Sequence, residues 1–203
     1  MRARRSAIPQ RRRFFLGCEG QSEHSYGALL QLLADSLRLH IHIELHDLQG
    51  GDPLAMLGSA ITRLAKQVRN RGPFVARALL LDNDKYGQNQ ERDARIGPLA
   101  QKHNVLLIWQ DPCHEGFLLR HLPGCQSLRP TTAAAAFTSL RKHWPEYNKP
   151  IAARRLSSRI GLAELALART VEQDLASLLS GFKEIPVTDH DSSESISTDR
   201  NRA

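Results

Sequence analysis

Acidic side chains follow the apolar runs that the sequence predicts as β-strands. Glu19 comes directly after the first run, and Asp82 and Asp84 come directly after the third. Glu115 lies shortly after the fourth run, and Glu23 lies one helical turn beyond Glu19. The carboxyl ends of parallel strands meet at one edge of a sheet, where ligand sites form. We therefore expect these carboxylates to converge on one site.

A divalent cation suits such a group, because gathered carboxylates repel one another. Mg²⁺ takes hard oxygen ligands, commonly one or two carboxylates together with water and substrate phosphate. Asp82 and Asp84 are two residues apart, so both can point to one side of a strand end and share a metal. One or two such ions polarise a phosphodiester and activate water for attack. The pattern predicts a Mg²⁺ or Mn²⁺ site that acts on phosphodiesters.

Each acidic position also has an ordinary structural explanation. Asp is common in turns after strands because it hydrogen-bonds to the local backbone, which would account for Asp82 and Asp84. Glu23 and Glu115 suit the first turn of a helix, where the helix dipole favours negative charge. The conjunction of all these residues at strand ends favours the metal site over the separate explanations.

Strands and helices alternate along the predicted secondary structure. Apolar or alternating runs predict strands over 14–18, 41–45, 76–81 and 105–109. Helical spacing predicts helices after the expected N-caps Ser22 and Asp52, then over 90–102, 114–121, 132–144 and about 158–180. The alternation predicts a Rossmann-like α/β fold: a mainly parallel four-stranded sheet, helices on both faces and extra C-terminal helices.

Positive charge is concentrated at the amino end of the chain. The net charge is +7, and six arginines lie within the first 13 residues. Such an arm either contacts nucleic acid, in a salt-dependent way, or is a solvated leader. We expect residues 1–13 to be a disordered arm, with Arg11, Arg12 and Arg13 as candidate nucleic-acid contacts. Residues 14–182 are expected to form one domain, and the Ser- and Asp-rich residues 183–203 a disordered tail.

Cysteine usage and hydropathy indicate the compartment. The three cysteines form no CxxC pair and leave one unpaired in any disulfide scheme, which favours a reducing cytoplasm. No apolar run approaches the roughly 18 residues of a membrane span. His40, His42 and His46 alternate on one predicted strand, but they lack cysteine partners, and a solvent-facing strand explains them better than zinc does. The sequence predicts a cytoplasmic protein without a membrane segment.

Four motifs resemble those of RloB-like proteins, a family with a TOPRIM-type fold. Cys18-Glu19-Gly20-x-x-Glu23-x-x-Tyr26 resembles the opening motif of the family, and Asp82-Asn83-Asp84 resembles its Asp-x-Asp. The run 111–121 resembles the later Asn-Pro-Cys-Phe-Glu-x-Trp-Leu-Leu-x-His motif, and Tyr147-Asn148-Lys149 resembles a Tyr-x-Lys. Together the motifs lie within residues 14–155.

The sequence departs from the family pattern at a few positions of these motifs. Asp111 stands where Asn is usual, His114 where Phe is usual, and Gly116-Phe117 where x-Trp is usual. Ser22 stands where Thr is frequent. All acidic positions of the pattern are kept, so the departures bear on substrate preference more than on metal binding.

The resemblance implies a divalent-metal nuclease that cleaves DNA or RNA. By it, Asp82 and Asp84 hold the metal, and Glu19 is a metal ligand or a general acid or base. Glu23 and Glu115 are further ligands or support them. The candidate catalytic residues are therefore Glu19, Asp82, Asp84 and Glu115, and the implied substrate contacts are Lys85, His114 and Lys149.

The resemblance also implies a biological setting. RloB-like genes are associated with restriction and abortive-infection loci of bacteria and archaea, which implies a role in phage defence. An ATPase is often encoded nearby, and this sequence contains no Gly-x-x-x-x-Gly-Lys-Ser/Thr loop, so the ATPase would be a partner protein. Two other functions stay open: a phosphohydrolase that uses Asp82 or Asp84 as nucleophile, and a catalytically silent subunit that docks on an ATPase.

Overall fold

Four strands alternate with helices along the chain. The computed structural model describes residues 11–182, and the predicted tail and the residues before Arg11 lie outside the described part. In chain order the elements are β1 (Arg12–Cys18), α1 (Gln21–Ser36), β2 (Ile41–Asp47), α2 (Pro53–Arg71), β3 (Ala76–Asp82), α3 (Gln90–Lys102), β4 (Leu106–Gln110), α4 (His114–Leu119), α5 (Ala133–His143), α6 (Ala153–Ser157), α7 (Leu162–Arg169) and α8 (Gln173–Ser180).

The strands form one sheet with the order β2-β1-β3-β4, and every pairing in it is parallel. β1 and β3 occupy the centre. The run Ala78–Leu81 of β3 is fully buried, as expected for a central strand with helices on both faces. The predicted α/β class with a four-stranded parallel sheet is therefore confirmed.

Alternate side chains of the sheet enter two separate cores. On one face, Phe14, Leu16 and Leu80 pack with α1, α4 and the C-terminal helices. On the other face, Phe15 and Leu79 pack with α2 and α3. No helix within residues 11–182 has the length and apolar content that crossing a membrane would require.

The predicted boundary between the basic arm and the domain is wrong. β1 begins at Arg12 and pairs with β2 from its first residue, Arg12 opposite Ile41. Arg12 and Arg13 are therefore strand residues. Their charge suggested that they belong to the arm, but their backbone pairs with β2 in the sheet.

The start of α1 also differs from the prediction. The helix begins at Gln21 with Gly20 as its N-cap, so Ser22 lies within the first turn. Glu23 Oε2 accepts a hydrogen bond from the Gly20 amide at 2.9 Å. By contrast, Asp52 caps α2 as predicted, because its Oδ1 accepts from the Ala55 amide at 3.0 Å.

The single helix predicted over residues 158–180 is wrong. The structure has two short helices over this region, α7 and α8, and a third, α6, ends at Ser157 just before it. Gly161 is the extended N-cap of α7, and Glu172 is non-helical between α7 and α8. The carboxylate of Glu172 binds the guanidinium of Arg120, which is 1% exposed. The break in the helix thus coincides with a long-range contact, whereas the apolar spacing alone predicts that the helix continues.

Two helical glycines give a matched test of packing. A Cβ at Gly116 would lie 2.6 Å from the carbonyl oxygen of Asp111, whereas a Cβ at Gly58 would meet nothing within 4 Å. We expect Gly116→Ala to lower the free energy of unfolding by about 1–3 kcal/mol, because backbone cannot move aside cheaply. Gly58→Ala, in the interior of α2, should raise it by about 0.5–1 kcal/mol. Urea denaturation of both variants measures the difference, and equal effects of the two would contradict this packing.

Candidate functional site

Five acidic residues lie where the carboxyl ends of the strands meet, and we call them the carboxylate cluster: Glu19, Glu23, Asp82, Asp84 and Glu115. Glu19 directly follows β1, and Asp82 is the last residue of β3. Glu23 and Glu115 lie in the first turns of α1 and α4. The parallel register aligns the ends of β1, β3 and β4, which brings these residues to one edge of the sheet.

Glu19 links the ends of the two central strands. Its Oε2 accepts a hydrogen bond from the backbone amide of Asp82 at 2.8 Å, and its Oε1 lies 3.8 Å from Lys85 Nζ. Lys85 also donates to the carbonyl oxygen of Gly51 at 2.9 Å. Burial raises the pKa of Glu19, and the hydrogen bond from Asp82 and the charge of Lys85 oppose that shift.

Glu23 and His114 form a buried pair between α1 and α4. Glu23 Oε1 lies 3.3 Å from His114 Nδ1, and both side chains are almost fully buried. Burial lowers the pKa of His114, although the negative charge of Glu23 opposes it, so the imidazole is neutral at neutral pH. Gln110 Nε2 lies 3.0 Å from the same Nδ1, so an amide donor as well as a carboxylate approaches this nitrogen. His114 Nε2 is buried without a partner among the described residues.

Glu115 is the most fully satisfied member of the carboxylate cluster and is 1% exposed. Its Oε1 accepts from the Tyr147 hydroxyl at 2.9 Å and lies 2.7 Å from Lys149 Nζ. Its Oε2 accepts from Cys113 Sγ at 3.3 Å. Burial alone would raise the pKa of Glu115, but the hydrogen bonds from Lys149 and Tyr147 outweigh burial and lower it. Glu115 is therefore held ionised inside the protein.

Asp82 is the residue at which no protein donor offsets the repulsion within the carboxylate cluster. Burial, followed by the negative charges of Glu23, Glu19, Asp84 and Glu115, raises the pKa of Asp82 to about 8. Its Oδ1 is buried, and no donor among the described residues reaches it. A cation beside this oxygen would supply the missing partner and would also offset the repulsion between the carboxylates.

Asp84 and the predicted contacts Lys85 and Lys149 occupy the exposed rim of the site. Asp84 is exposed, and its negative charge contributes to the raised pKa values of Asp82 and Glu19. The side chains of Lys85 and Lys149 are 40% and 53% exposed. Both lysines therefore lie between the buried carboxylates and solvent, where an anionic substrate would arrive. His114 does not share this rim position, because it is 1% exposed.

The donor chemistry of the carboxylate cluster fits a hard divalent cation, but the side chains are not arranged around one. Within residues 11–182, no group of three or more His, Cys, Asp and Glu side chains is placed so that it could hold a metal ion. Hydrogen bonds from protein donors hold Glu19, Glu23 and Glu115. Asp82 Oδ1 is the oxygen left over, so Asp82 is the residue at which cation binding would begin.

The arginines predicted as nucleic-acid contacts lie at the other end of β1. Arg12 donates to the carbonyl oxygens of residues 181–182 at 3.2 Å each. Arg13 is 8% exposed and pairs with Glu44 at 2.6 Å. Both guanidinium groups therefore have internal partners, and neither is a free arm contact. Arg11 is exposed and lies 3.3 Å from Asp35.

Two structural roles near the site escaped the sequence analysis. The hydroxyl of Tyr147 binds Glu115 across 32 positions of the sequence, a role that the Tyr-x-Lys spacing relative to Lys149 could have indicated. Arg120 donates to the carbonyl oxygen of Asp111 at 2.8 Å while it binds Glu172. The sequence does not distinguish a buried arginine from an exposed one, so it could not predict the role of Arg120.

Comparisons of the chain with protein-family models, with curated proteins and with solved structures found no match. Function is therefore inferred from the residues and the geometry of the site.

The raised pKa of Asp82 has a measurable effect on stability. A carboxyl group whose pKa rises from 3.8 in the unfolded chain to about 8 in the folded one costs stability as pH rises through that window. Asp82→Asn removes this loss. In the absence of divalent metal we expect the variant to melt above the wild type at pH 9, by about 2–4 °C for each kcal/mol gained, and the difference to vanish near pH 4.

The exposed Glu91, in the first turn of α3, provides the control. Glu91→Gln should change the melting temperature little at any pH, because an exposed charge near a helix end contributes only about 0.3–1 kcal/mol. A gain for Asp82→Asn that is the same at pH 5 and pH 9 would show that the charge of Asp82 is not the cause.

Proposed function

We propose that the chain is a divalent-metal-dependent nuclease that hydrolyses phosphodiester bonds of DNA or RNA. The observation that carries this proposal is the unpartnered, buried Oδ1 of Asp82 within the carboxylate cluster. Proteins rarely gather acidic groups and leave one oxygen without a donor unless a cation or a reaction uses it. The motif resemblance to RloB-like proteins, which involves the same residues, supports the same conclusion.

The two rim lysines suit the recognition of a phosphate group. Lys149 lies 2.7 Å from Glu115 Oε1 and half of its side chain is exposed. Burial lowers the pKa of Lys149, but the hydrogen bond to Glu115 and nearby negative charges outweigh this and raise it. Lys149 therefore stays charged at neutral pH. Lys85, held against the Gly51 carbonyl, presents a second ammonium at the same rim, where both can neutralise phosphate oxygens.

Asp82 and Asp84 are the residues that would hold the metal, with Glu23 and Glu115 of the same cluster in support. When bound, Mg²⁺ or Mn²⁺ supplies polarisation of the phosphodiester and activation of water. Glu19 is the group that we assign to proton transfer, because its pKa is raised towards the working pH and its Oε1 faces the rim lysine Lys85.

We further propose that the protein acts in the cytoplasm, in phage defence, with a partner ATPase. The three cysteines are free and buried, which is typical of a reducing compartment. The partner and the defence role rest on the motif resemblance, together with the lack of a phosphate-binding Gly-x-x-x-x-Gly-Lys-Ser/Thr loop in the sequence.

Of the two alternatives, the catalytically silent docking subunit has an observation in its favour. Three carboxylates of the cluster are already bonded to protein donors, so the site is compatible with a purely structural role. The Asp-x-Asp phosphohydrolase has less support. Its chemistry requires a nucleophilic aspartate, and it does not account for Glu19 and Glu115 at the same edge of the sheet.

Metal binding is tested first by thermal denaturation. Saturating Mn²⁺ should raise the melting temperature of the wild type, since a ligand present at 100 times its dissociation constant adds about 2.7 kcal/mol of stability. Asp82→Asn should lose most of this shift, and Glu91→Gln should keep it. A wild type that Mn²⁺ does not stabilise would contradict the metal site.

Cleavage is tested with the purified chain on plasmid, linear and single-stranded DNA and on RNA, with Mg²⁺ or Mn²⁺. We expect Asp82→Asn and Glu19→Gln each to lower the cleavage rate by at least about 100-fold, with Glu91→Gln unchanged and chelator abolishing activity. Cleavage that persists in chelator or in Asp82→Asn would assign it to another site or a contaminant. Metal binding without cleavage would favour a nuclease that needs its partner, and neither would favour the docking subunit.

A further inference from the structure

The helix α2 carries positive charge that its own stability does not explain. Its 19 residues include four cations, Arg63, Lys66, Arg69 and Arg71, and no acidic residue. Arg69 and Arg71 lie in the last turn, where the helix dipole favours positive charge. Arg63 and Lys66 lie further towards the middle of the helix, beyond the reach of that effect.

These cations line a cleft between α2 and the edge strand β2. Arg71 borders a groove of about 420 Å³ together with Arg11, Arg13 and His42, and Arg63 and Lys66 border the next one with His46. His42 and His46 project from the same face of β2, so both grooves lie along that face of the strand. We call this cleft the basic groove and define it by Arg11, Arg13, His42, Arg63, Lys66 and Arg71.

The acidic residue on the floor of the basic groove is neutralised from within the protein. Glu44 Oε1 lies 2.6 Å from Arg13 Nε, and Arg13 Nη1 donates to the carbonyl oxygen of Gly72 at 2.6 Å. The guanidinium also lies 4.2 Å from the centre of the Phe74 ring. Arg13 Nη2 is buried without a partner among the described residues. The pair holds the floor rigid and leaves the groove with a net positive charge.

The other cations of the groove are available to a ligand. Within residues 11–182, the side chains of Arg63, Lys66 and Arg71 make no ion pair. Lys66 and Arg71 are exposed and Arg63 is half-buried. Arg11 lies 3.3 Å from Asp35, but both side chains are about half exposed, and such a pair contributes little.

The geometry of the groove favours a ligand with repeated negative charges. Arg63 and Arg71 are eight residues apart, which corresponds to about 12 Å along the helix. A single small anion would engage one end of such a row, whereas a phosphate backbone can follow all of it. His46 stacks on Phe15 at 4.5 Å, and His42 is exposed. The ring of His42 is therefore the one beside the row of cations that is free to stack on an unpaired base.

We propose that the basic groove binds the phosphate backbone of a single-stranded nucleic acid. The surface is separate from the carboxylate cluster, so this binding goes beyond the proposed hydrolysis and does not depend on it. His46 lies next to Asp47, the last residue of β2, so the groove leads from the site edge of the sheet towards the start of β1.

Fluorescence anisotropy with labelled single-stranded DNA and RNA oligonucleotides tests the proposal. The full chain is titrated in chelator, so that no cleavage can occur. We expect Arg63→Ala with Lys66→Ala, and Arg71→Ala separately, to weaken binding about 3- to 10-fold. The slope of log K against log salt should become shallower by about 0.7 for each phosphate that the variant no longer neutralises. Arg69→Ala is the matched control, because it removes the same charge from the same helix but does not line the groove.

Several results would overturn the proposal. Equal weakening by Arg69→Ala would show that net charge, not the groove, binds the strand. Unchanged binding by the groove variants would place binding elsewhere. Tighter binding of a duplex, or equal competition by inorganic polyphosphate at the same phosphate concentration, would exclude a single-strand site. Melting curves confirm that each variant folds, and the titration in chelator measures binding whether or not cleavage is ever observed.

Discussion

Repulsion among carboxylates at one edge of a parallel sheet is the constraint on which the site and much of its surroundings depend. Because β1, β3 and β4 run the same way and are in register, the acidic residues that follow them must share one edge. The protein meets the repulsion at Glu23 with the Gly20 amide, at Glu115 with Tyr147 and Lys149, and at Glu19 with the Asp82 amide. The repulsion that is not offset acts on Asp82 and contributes to the raised pKa of that residue.

The two helical layers have different roles. The layer formed by α1, α4 and the segments after them supplies the partners of the buried carboxylates, and its larger core holds those partners in place. Arg120 connects this layer to the loop after β4 through the Asp111 carbonyl and Glu172. The opposite layer contributes Gly51 and Lys85 to the rim and carries the basic groove along α2. The proposed chemistry and the proposed strand binding thus lie on different layers around one sheet.

Local pattern sufficed to predict the parts of the fold that depend on short-range chemistry. The buried run of β3, the Asp52–Pro53 start of α2 and the span of α3 follow from apolar periodicity and capping. The same reasoning failed at Arg12 and Arg13, at Ser22 and over residues 158–180. At Ser22 a local contact is responsible, because Glu23 accepts from the Gly20 amide and α1 starts at Gln21. At the other two places a contact from elsewhere in the chain overrides the local preference: the pairing of Arg12 with Ile41 and the contact of Glu172 with Arg120.

The sequence by itself determined the α/β class, the parallel sheet and the acidic residues at its strand ends, because hydrophobic periodicity and strand-end position are local properties. Only the tertiary structure decided which carboxylates are satisfied and which is not. Tyr147 reaches Glu115 across 32 residues, and Arg13 reaches Glu44 across 31. Such contacts set the local dielectric and the charge balance, and those two quantities separate Glu115, whose pKa is lowered, from Asp82, whose pKa is raised.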